Sequence, residues 1–529
     1  MAKNTTQKVL TKNENKSVDL DKIFEKYFWL IIPVFAVIYY IVSKSSSGFY
    51  QDDEMGHYLN MRDFWTHPGA ILGNWPKTGY KLIMVLPSLM GYQGVLFFNS
   101  LIASVTVYMT YVLLREYKIK YAFFGALLLA LQPLYFDLSF RSYAEIFSGL
   151  LFLFVIYFYK KDKLFISGLI LGYIFTVRQE VALVGLILAV MFAMRKNYLA
   201  IISLGIFPLL YMFAGYLQSG DPMFIINEMK NVGEMDFGGA NRGALHYFKV
   251  YIFIVGPICL ALFLSGYFGF IGKNAKEYFK KYDLIYIIFT LMFLVPVALM
   301  LKGVNPGTWR YLLPISPLAA FLAVVGLNNI ADAKFRNIYM GITGFIALIT
   351  LAFLSHTSNG LDVTEVSEFT KILFLGIFFI ATLVISRSNV QKYLNTVAIV
   401  GIILAAGYLA MNYEPRKLNP ENEAIIKIGE YVNTPEIKDK NVYFTNSNIL
   451  FFGDIHGERG KKFQTLNMEN LSKSSKGSII IWDTHYGYRP EYKKDVKLDV
   501  LKDTLNYKLL NQFISTDRKF AAYAFEKLN

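Results

Sequence analysis

The sequence predicts a mostly α-helical, polytopic transmembrane bundle of about thirteen spans, followed by a small C-terminal extracytoplasmic α/β domain. Three observations carry that prediction. Apolar runs of roughly 18 residues recur up to about residue 411, in a chain that is 54% hydrophobic with a mean hydropathy of +0.38. Every second connection between those runs is short and rich in Lys and Arg, which is how membrane orientation is written into a sequence. The composition then changes near residue 412, where long apolar runs give way to short strand-like ones.

The expected spans are 27–43, 94–114, 121–138, 143–159, 164–178, 180–194, 198–217, 250–272, 283–301, 311–329, 337–355, 369–386 and 394–411. The fifth and sixth are short and need tilted neighbours or local thinning of the bilayer. Residues 1–26 are polar and Lys-rich and lack an apolar core with a small-residue cleavage site. They read as a cytoplasmic segment, with the first helix as an uncleaved anchor. Basic clusters follow at Arg115/Lys118/Lys120, Lys160/Lys161/Lys163, Arg195/Lys196, Lys273/Lys276/Lys280/Lys281, Lys334/Arg336 and Arg387/Lys392. The intervening connections, including a long first loop over 44–93 and the segment 218–249, are therefore expected outside, as is everything beyond 412. Residues 27–411 form the membrane domain and 412–529 the external one. In the latter a helix is expected near Glu421–Tyr431, with strands at Asn441–Thr445, Ser478–Trp482, Tyr507–Ser515 and Phe520–Phe525.

The net charge of +14 does not indicate nucleic acid. The cations sit in short loops between apolar runs, not in a basic stripe interleaved with stacking aromatics. The single cysteine, Cys259, excludes an intrachain disulfide. That absence and the Lys/Asn/Ile-rich composition point to a bacterial cytoplasmic (inner) membrane.

The residues that could carry chemistry gather on the outer side. Asp52, Asp53 and Glu54 follow the first span, and carboxylates at a bilayer edge are costly to desolvate. From Glu54 to Trp65 the spacing suits an interfacial helix, which the acids would open. One reading is helix capping, which needs a single acid. The other is a general base that takes a hydroxyl proton. His57 and Tyr58 lie on the same helix. Asp137, Arg141 and Glu145 are spaced i, i+4, i+8, near one face if the segment is helical. They form either a salt-bridged helix end, or an anion site in which Arg141 grips a headgroup and Glu145 holds a hydroxyl. Arg178 and Glu180 occupy a polar turn between two short spans, either as an internal pair or in a water-filled cavity. Lys302 and Arg310 share one face, either snorkelling to the interface or holding a lipid phosphate. His246 and His356 read as ordinary loop histidines. The Gly-rich loop 218–249 reads equally as a lid or a connector. A divalent metal is not favoured, since no HxH or HExxH spacing appears; the 52–54 acids are the place where one could sit.

Together these segments resemble the GT-C superfamily of multispanning glycosyltransferases, a group that includes protein O-mannosyltransferases, bacterial lipid A aminoarabinose transferases and lipid-linked mannosyltransferases. The resemblance covers about residues 28–330. It rests on Asp53-Glu54 with Tyr58, on Arg-Ser-Tyr-Ala-Glu at Arg141–Glu145, on Arg178-x-Glu180, and on Arg-Tyr-Leu-Leu-Pro at Arg310–Pro314. It implies a sugar donor carried on a polyprenyl phosphate, a lipid, glycan or protein acceptor, and metal-independent inverting transfer without a cofactor. By the resemblance Asp53 matches the catalytic base and Glu54 its neighbour. Arg141, Arg178, Arg310 and Lys302 would hold the donor phosphate, with Glu145, Glu180, His57 and Tyr58 positioning substrate. The chain departs from the pattern in its third acid, Asp52, and in His57, so Asp52 and Asp53 both stand as candidates for the base. Two other functions suit the same features. A transporter or lipid flippase would couple external carboxylates to ions, but would place its charges near the midplane of paired halves. A non-catalytic assembly protein would depend on its tail.

Overall fold

The computed structural model describes residues 25–73, 75, 77–234, 242–330, 333–352, 355–356, 363–364, 368–386, 390–489 and 495–529. The basic N-terminal segment up to residue 24, Gly238 and Gly239 of the 218–249 connection, and most of the connection after residue 352 lie outside them.

Every apolar segment expected from the sequence coincides with a helix or a broken helix. In order these are α1 (Ile31–Ser45), two helices of the first loop, α2 (Asp53–Asp63) and α3 (Thr78–Ser88), then α4 (Gly91–Glu116), α5 (Ala122–Ala130), α6 (Pro133–Leu138), α7 (Glu145–Lys160), α8 (Leu164–Phe175), α9 (Ala182–Met194), α10 (Tyr198–Ser219) and α11 (Phe224–Gly233). They continue as α12 (His246–Val255), α13 (Pro257–Tyr267), α14 (Ala275–Leu301), α15 (Ser316–Asn329), α16 (Ala333–Ala352), α17 (Phe369–Ser386) and α18 (Val390–Asn412). By length and apolarity alone, six helices among the described residues are fit to cross a membrane, or seven if the bent pair α12–α13 is one span. The chain is a multi-pass membrane protein.

Three segments expected to be continuous are broken, each at an identifiable residue. Over 121–138 the helix stops at Leu131 and restarts at Pro133, which opens α6, the first-turn position that proline favours. Over 250–272 the chain bends by 116° at Gly256, whose φ of 81° suits glycine, and Pro257 opens the next helix. Over 311–329 the first turns are a 3₁₀ segment, Trp309–Ile315, containing Pro314. Each break frees backbone groups and aims side chains away from a helix face, which is tolerated at membrane depth only inside protein or beside a water-filled cavity.

The described membrane helices share one apolar core. Its tightest joint is α13 on α15. A Cβ at Gly266 would collide with the carbonyl of Leu322, and one at Gly326 with that of Leu262, so small residues let the two backbones touch.

After α18 the tail forms helix α19 (Pro420–Tyr431) and a five-stranded sheet. Its strands are β1 (Val442–Phe444), β2 (Phe463–Thr465), β3 (Ile479–Asp483), β4 (Tyr507–Ile514) and β5 (Ala521–Lys527). The order is β2-β1-β3-β5-β4, with β1 parallel to β2 and β3, and β5 antiparallel to β3 and β4. Strand β3 is buried on both faces. Ile479 and Ile481 pack into the core that holds α19, while Ile480 and Trp482 pack on the opposite side, as a period of two requires. The short helix α20 (Asn448–Phe452) buries Ile449 in the core that holds α19 and also lands on α2.

Candidate active site

Helix α2 places the acids, and their side chains do not cap it. Asp52 is the residue before the helix and makes no side-chain capping bond. Each acid has different surroundings. Glu54 is fully buried and accepts from the Tyr50 amide at 2.5 Å, Tyr92 Oη at 3.1 Å and Arg141 Nη1 at 3.3 Å. Burial pushes its carboxyl up, against the pull of Arg141 and the Tyr50 amide. Asp53 keeps 32% of its side chain exposed, and its Oδ2 accepts from Arg310 Nη2 at 2.5 Å. Asp52 is half-buried and forms none of the ion pairs of the cluster; it faces the tail, within electrostatic reach of Tyr486.

From Asp53 a chain of ion pairs runs inward. Arg310 Nη1 donates to Glu145 Oε1 at 3.2 Å, and Arg178 Nη1 donates to the same oxygen at 3.3 Å. Arg178 Nη2 then reaches Glu180 Oε1 at 2.5 Å. The internal Arg178–Glu180 pair is therefore present, inside a larger network. Arg310 also donates from Nε to Gln51 Oε1 at 3.1 Å and lies 4.5 Å over the Tyr143 ring. Helix ends and one of the breaks described above supply these groups. Arg310 rides the 3₁₀ turn before α15. Glu145 opens α7. Arg178 is extended, at φ −143° and ψ 103°, between α8 and the 3₁₀ turn Gln179–Val181.

The loop ahead of Arg310 is pinned by hydrogen bonds. Asn305 Oδ1 accepts from the Gly307 amide at 2.8 Å, and its amide nitrogen donates to Tyr247 Oη at 2.6 Å. His246 Nε2 meets Gly307 O at 2.8 Å. The expected loop histidine thus anchors the Arg310 turn from the start of α12.

Several predicted residues lie elsewhere. Asp137, Arg141 and Glu145 do not share a helix face, because residues 139–144 are irregular; Arg141 turns to Glu54 and Asp137 while Glu145 turns to Arg178 and Arg310. Arg141 is 2% exposed and saturated, donating also to Gly48 O at 2.9 Å and Ser46 Oγ at 2.8 Å. A guanidinium so enclosed has no face left for a phosphate, so its expected role as a phosphate ligand is not supported. Tyr58 packs on Tyr92 and on Phe451 of α20, at ring distances of 5.4 and 5.5 Å; packing takes up the ring that was expected to position substrate. Lys302 is exposed at the end of α14 and joins none of the ion pairs of the cluster.

The expected residues omit two cations. Lys81 on α3 is fully buried, with no hydrogen-bond partner for Nζ, and sits 4.8 Å over the Trp75 ring. Burial, and then Lys77, lower its pKa far below the ordinary lysine value, while Asp53 raises it. Lys77, just before α3, is lowered by burial and raised most by Glu180. His57 stacks on Trp75 at 4.9 Å, and its Nδ1 has no partner. Burial and then Lys81 hold it neutral. Unpaired buried polar atoms are rare in native proteins and call for a partner such as a water, an ion or a ligand. Glu145 Oε2 and Gln179 Nε2 are two more. Among the described residues no group of three His, Cys, Asp or Glu side chains is placed to hold a metal ion.

The sequence matches no family model and no curated protein. The fold does have solved counterparts. The structure of ArnT from Cupriavidus metallidurans bound to undecaprenyl phosphate superposes with a TM-score of 0.57 at 10% identity, over 94% of this chain and 98% of that one. The apo state of the same protein gives 0.57 and 10%, over 95% and 98%. The chain therefore shares the fold of those structures along nearly its whole length.

Proposed function

We propose that this chain is an integral-membrane glycosyltransferase that moves a sugar from a polyprenyl-phosphate donor to an acceptor on the extracytoplasmic side, with Asp53 as the general base. The observation that carries this is the composition of one cluster. Arg178, Arg310, Lys77 and Lys81 stand against Asp53, Glu145 and Glu180, which leaves an excess of one positive charge when all are ionised. A sugar phosphodiester carries one negative charge. The likeness to a protein solved with undecaprenyl phosphate makes a polyprenyl phosphate the natural source of it.

In this reading the prenyl chain stays in the bilayer and the phosphate enters beside Lys81 and Lys77. Nζ of Lys81 gains the partner it lacks, and the incoming charge raises its pKa again. Glu145 Oε2 and Gln179 Nε2 face the sugar. Asp53 Oδ2 is fixed by Arg310, and its partly exposed carboxylate offers Oδ1 to the acceptor hydroxyl. As the acceptor oxygen bonds to the anomeric carbon, its proton passes to Asp53. The bond from that carbon to the phosphate oxygen breaks, and its electron pair leaves with the phosphate. The leaving monoester carries one more negative charge than the diester. The preorganised guanidinium and ammonium groups are worth most at that moment. Asp52 and Glu54 do not take the proton in this scheme, because one faces the tail and the other is sealed against Arg141. No resident metal or cofactor takes part. The thirteen apolar segments, with the broken pairs α5–α6 and α12–α13 each counted once and α11 left out, cross the membrane, with the N-terminus cytoplasmic and the tail outside.

The experiment is headgroup release. Purified protein receives labelled polyprenyl-phosphate sugars of several kinds with candidate acceptors, and Asp53→Asn is run beside it. Release by the wild type and loss in the variant are expected. Full transfer by Asp53→Asn would reject the mechanism.

A further inference from the structure

A second ion-pair chain reaches α2 from the tail, and the reaction above makes no use of it. It runs from Glu54 through Arg141 and Asp137 to Arg416. Arg141 donates to Glu54 Oε1 at 3.3 Å, and from Nε and Nη2 to Asp137 Oδ1 at 3.4 Å each. Asp137 Oδ2 accepts from Arg416 Nε at 3.0 Å and Nη2 at 2.7 Å. Side-chain exposure falls from 22% at Arg416 to 12% at Asp137, 2% at Arg141 and 0% at Glu54, so the chain passes from the surface into the interior.

Arg416 begins the tail, just beyond α18. Its backbone grips the run that precedes the acids. The Gly48 amide donates to Arg416 O at 2.9 Å, and the Arg416 amide donates to Ser46 Oγ at 3.0 Å. Its guanidinium lies 4.7 Å over the Tyr50 ring. A Cβ on Gly48 would collide with the carbonyl of Lys417, so the contact requires glycine there. Residues 46–50 are thus clamped between Arg141 on one side and Arg416 on the other.

Buried charge networks behave as units. Without Arg416, Asp137 Oδ2 loses both its donors and draws Arg141 toward itself, away from Glu54. Asp53 is the residue next to Glu54, so a shift there is passed on to it directly. A displacement of about 1 Å at a reacting group costs on the order of 10²-fold in rate.

We propose that Arg416 is a positioning residue: acting through Asp137 and Arg141 on Glu54, it makes the tail set the placement of Asp53. The rate consequence rests on Asp53 being the base, whereas the ordering of residues 46–58 does not.

The test uses the full-length protein in detergent, with Arg416→Ala, Arg416→Lys, Asp137→Asn and the Arg416→Ala/Asp137→Asn double variant. Amide hydrogen exchange is read over 46–58 and over the tail sheet, alongside turnover at saturating donor and the Kd for undecaprenyl phosphate. For Arg416→Ala, exchange over 46–58 should rise about tenfold with the sheet unchanged. Its kcat should fall about 10- to 100-fold, while Kd moves less than threefold. Arg416→Lys should recover part of both, since it keeps the charge but not the paired donors. The double variant should be no worse than Arg416→Ala, because both act on one link. Unchanged exchange over 46–58 in folded Arg416→Ala would overturn the proposal, as would a loss confined to Kd. Should Arg416→Ala fail to fold, Arg416→Lys decides: unchanged exchange and unchanged kcat overturn the proposal, and a rise in exchange with a fall in kcat supports it. A wild type that releases no sugar from any polyprenyl phosphate would defeat the glycosyltransferase reading, and the exchange data would still decide this one.

Discussion

Replacing Lys81 by methionine should make the empty protein more stable and the donor weaker, two effects of opposite sign from one atom. Nζ of Lys81 is buried, has no hydrogen-bond partner, and is held only by Trp75 at 4.8 Å. In the unfolded chain the same ammonium is fully hydrated. Leaving a buried polar group unsatisfied costs about 1–3 kcal/mol, more when charged. Methionine has a similar shape and no such requirement, so Lys81→Met should recover about that much in the empty state. With donor bound the balance reverses. A charge-assisted hydrogen bond to the phosphate is worth about 1.5–3 kcal/mol, so its loss should raise Kd by about 10- to 150-fold. Thermal unfolding in detergent, at one fixed scan rate, reads both. Undecaprenyl phosphate at about 100 times the wild-type Kd stabilises the wild type by about 2.7 kcal/mol; a Kd raised 100-fold leaves about 0.4 kcal/mol. A lower midpoint in Lys81→Met together with an undiminished shift on adding undecaprenyl phosphate would refute the reasoning and make Lys81 a packing residue. The pH dependence supplies a second sign. The folded pKa of Lys81 is depressed, so between it and the ordinary lysine value the unfolded state binds more protons, and the empty protein gains stability as pH rises. Donor affinity should fall over the same window, and both slopes should shrink in Lys81→Met.

Asp53→Asn should keep the midpoint and lose transfer by at least about 10²-fold, whereas Asp52→Asn, outside the ion-pair cluster, should stay within about threefold of the wild type; parallel turnover assays compare them. Glu54→Gln should act on folding before chemistry, since it leaves Arg141 with a buried charge uncompensated on that side. A loss approaching about 3–5 kcal/mol, read as a lowered midpoint and poor recovery from detergent, is expected. Prolonged EDTA treatment should leave headgroup release unchanged within error, and restoration of lost activity by Mg²⁺ or Mn²⁺ would show that a metal takes part.

The apolar helices and most strands of the tail were legible in the sequence, because burial in an apolar core or in a sheet leaves a one-dimensional signature. Apolar runs located the membrane helices, and the period-two run around Ile479–Trp482 located the central strand. Strand β2 was missed, since Phe463 is its only buried residue and three residues hold no period. Lys81 was missed although a lysine inside Tyr80–Pro87, an otherwise apolar helix, is the kind of residue that membrane proteins keep for function. It lies in the same first loop as the acids, and its depth is not written in its neighbours.

What the sequence by itself determined was which residues are polar where apolar ones are cheaper: the acids at 52–54, Glu145, Arg178, Glu180 and Arg310. What only the tertiary structure decided was their partners. Arg141 and Arg310 carry the same charge at the same expected face, yet one is sealed against Glu54 while the other reaches Asp53. The reason is that pairing depends on where Pro133 and Pro314 break the helices and on where Arg416 returns from the far end of the chain. Those are three-dimensional coincidences between residues up to 370 positions apart, and no local pattern encodes them.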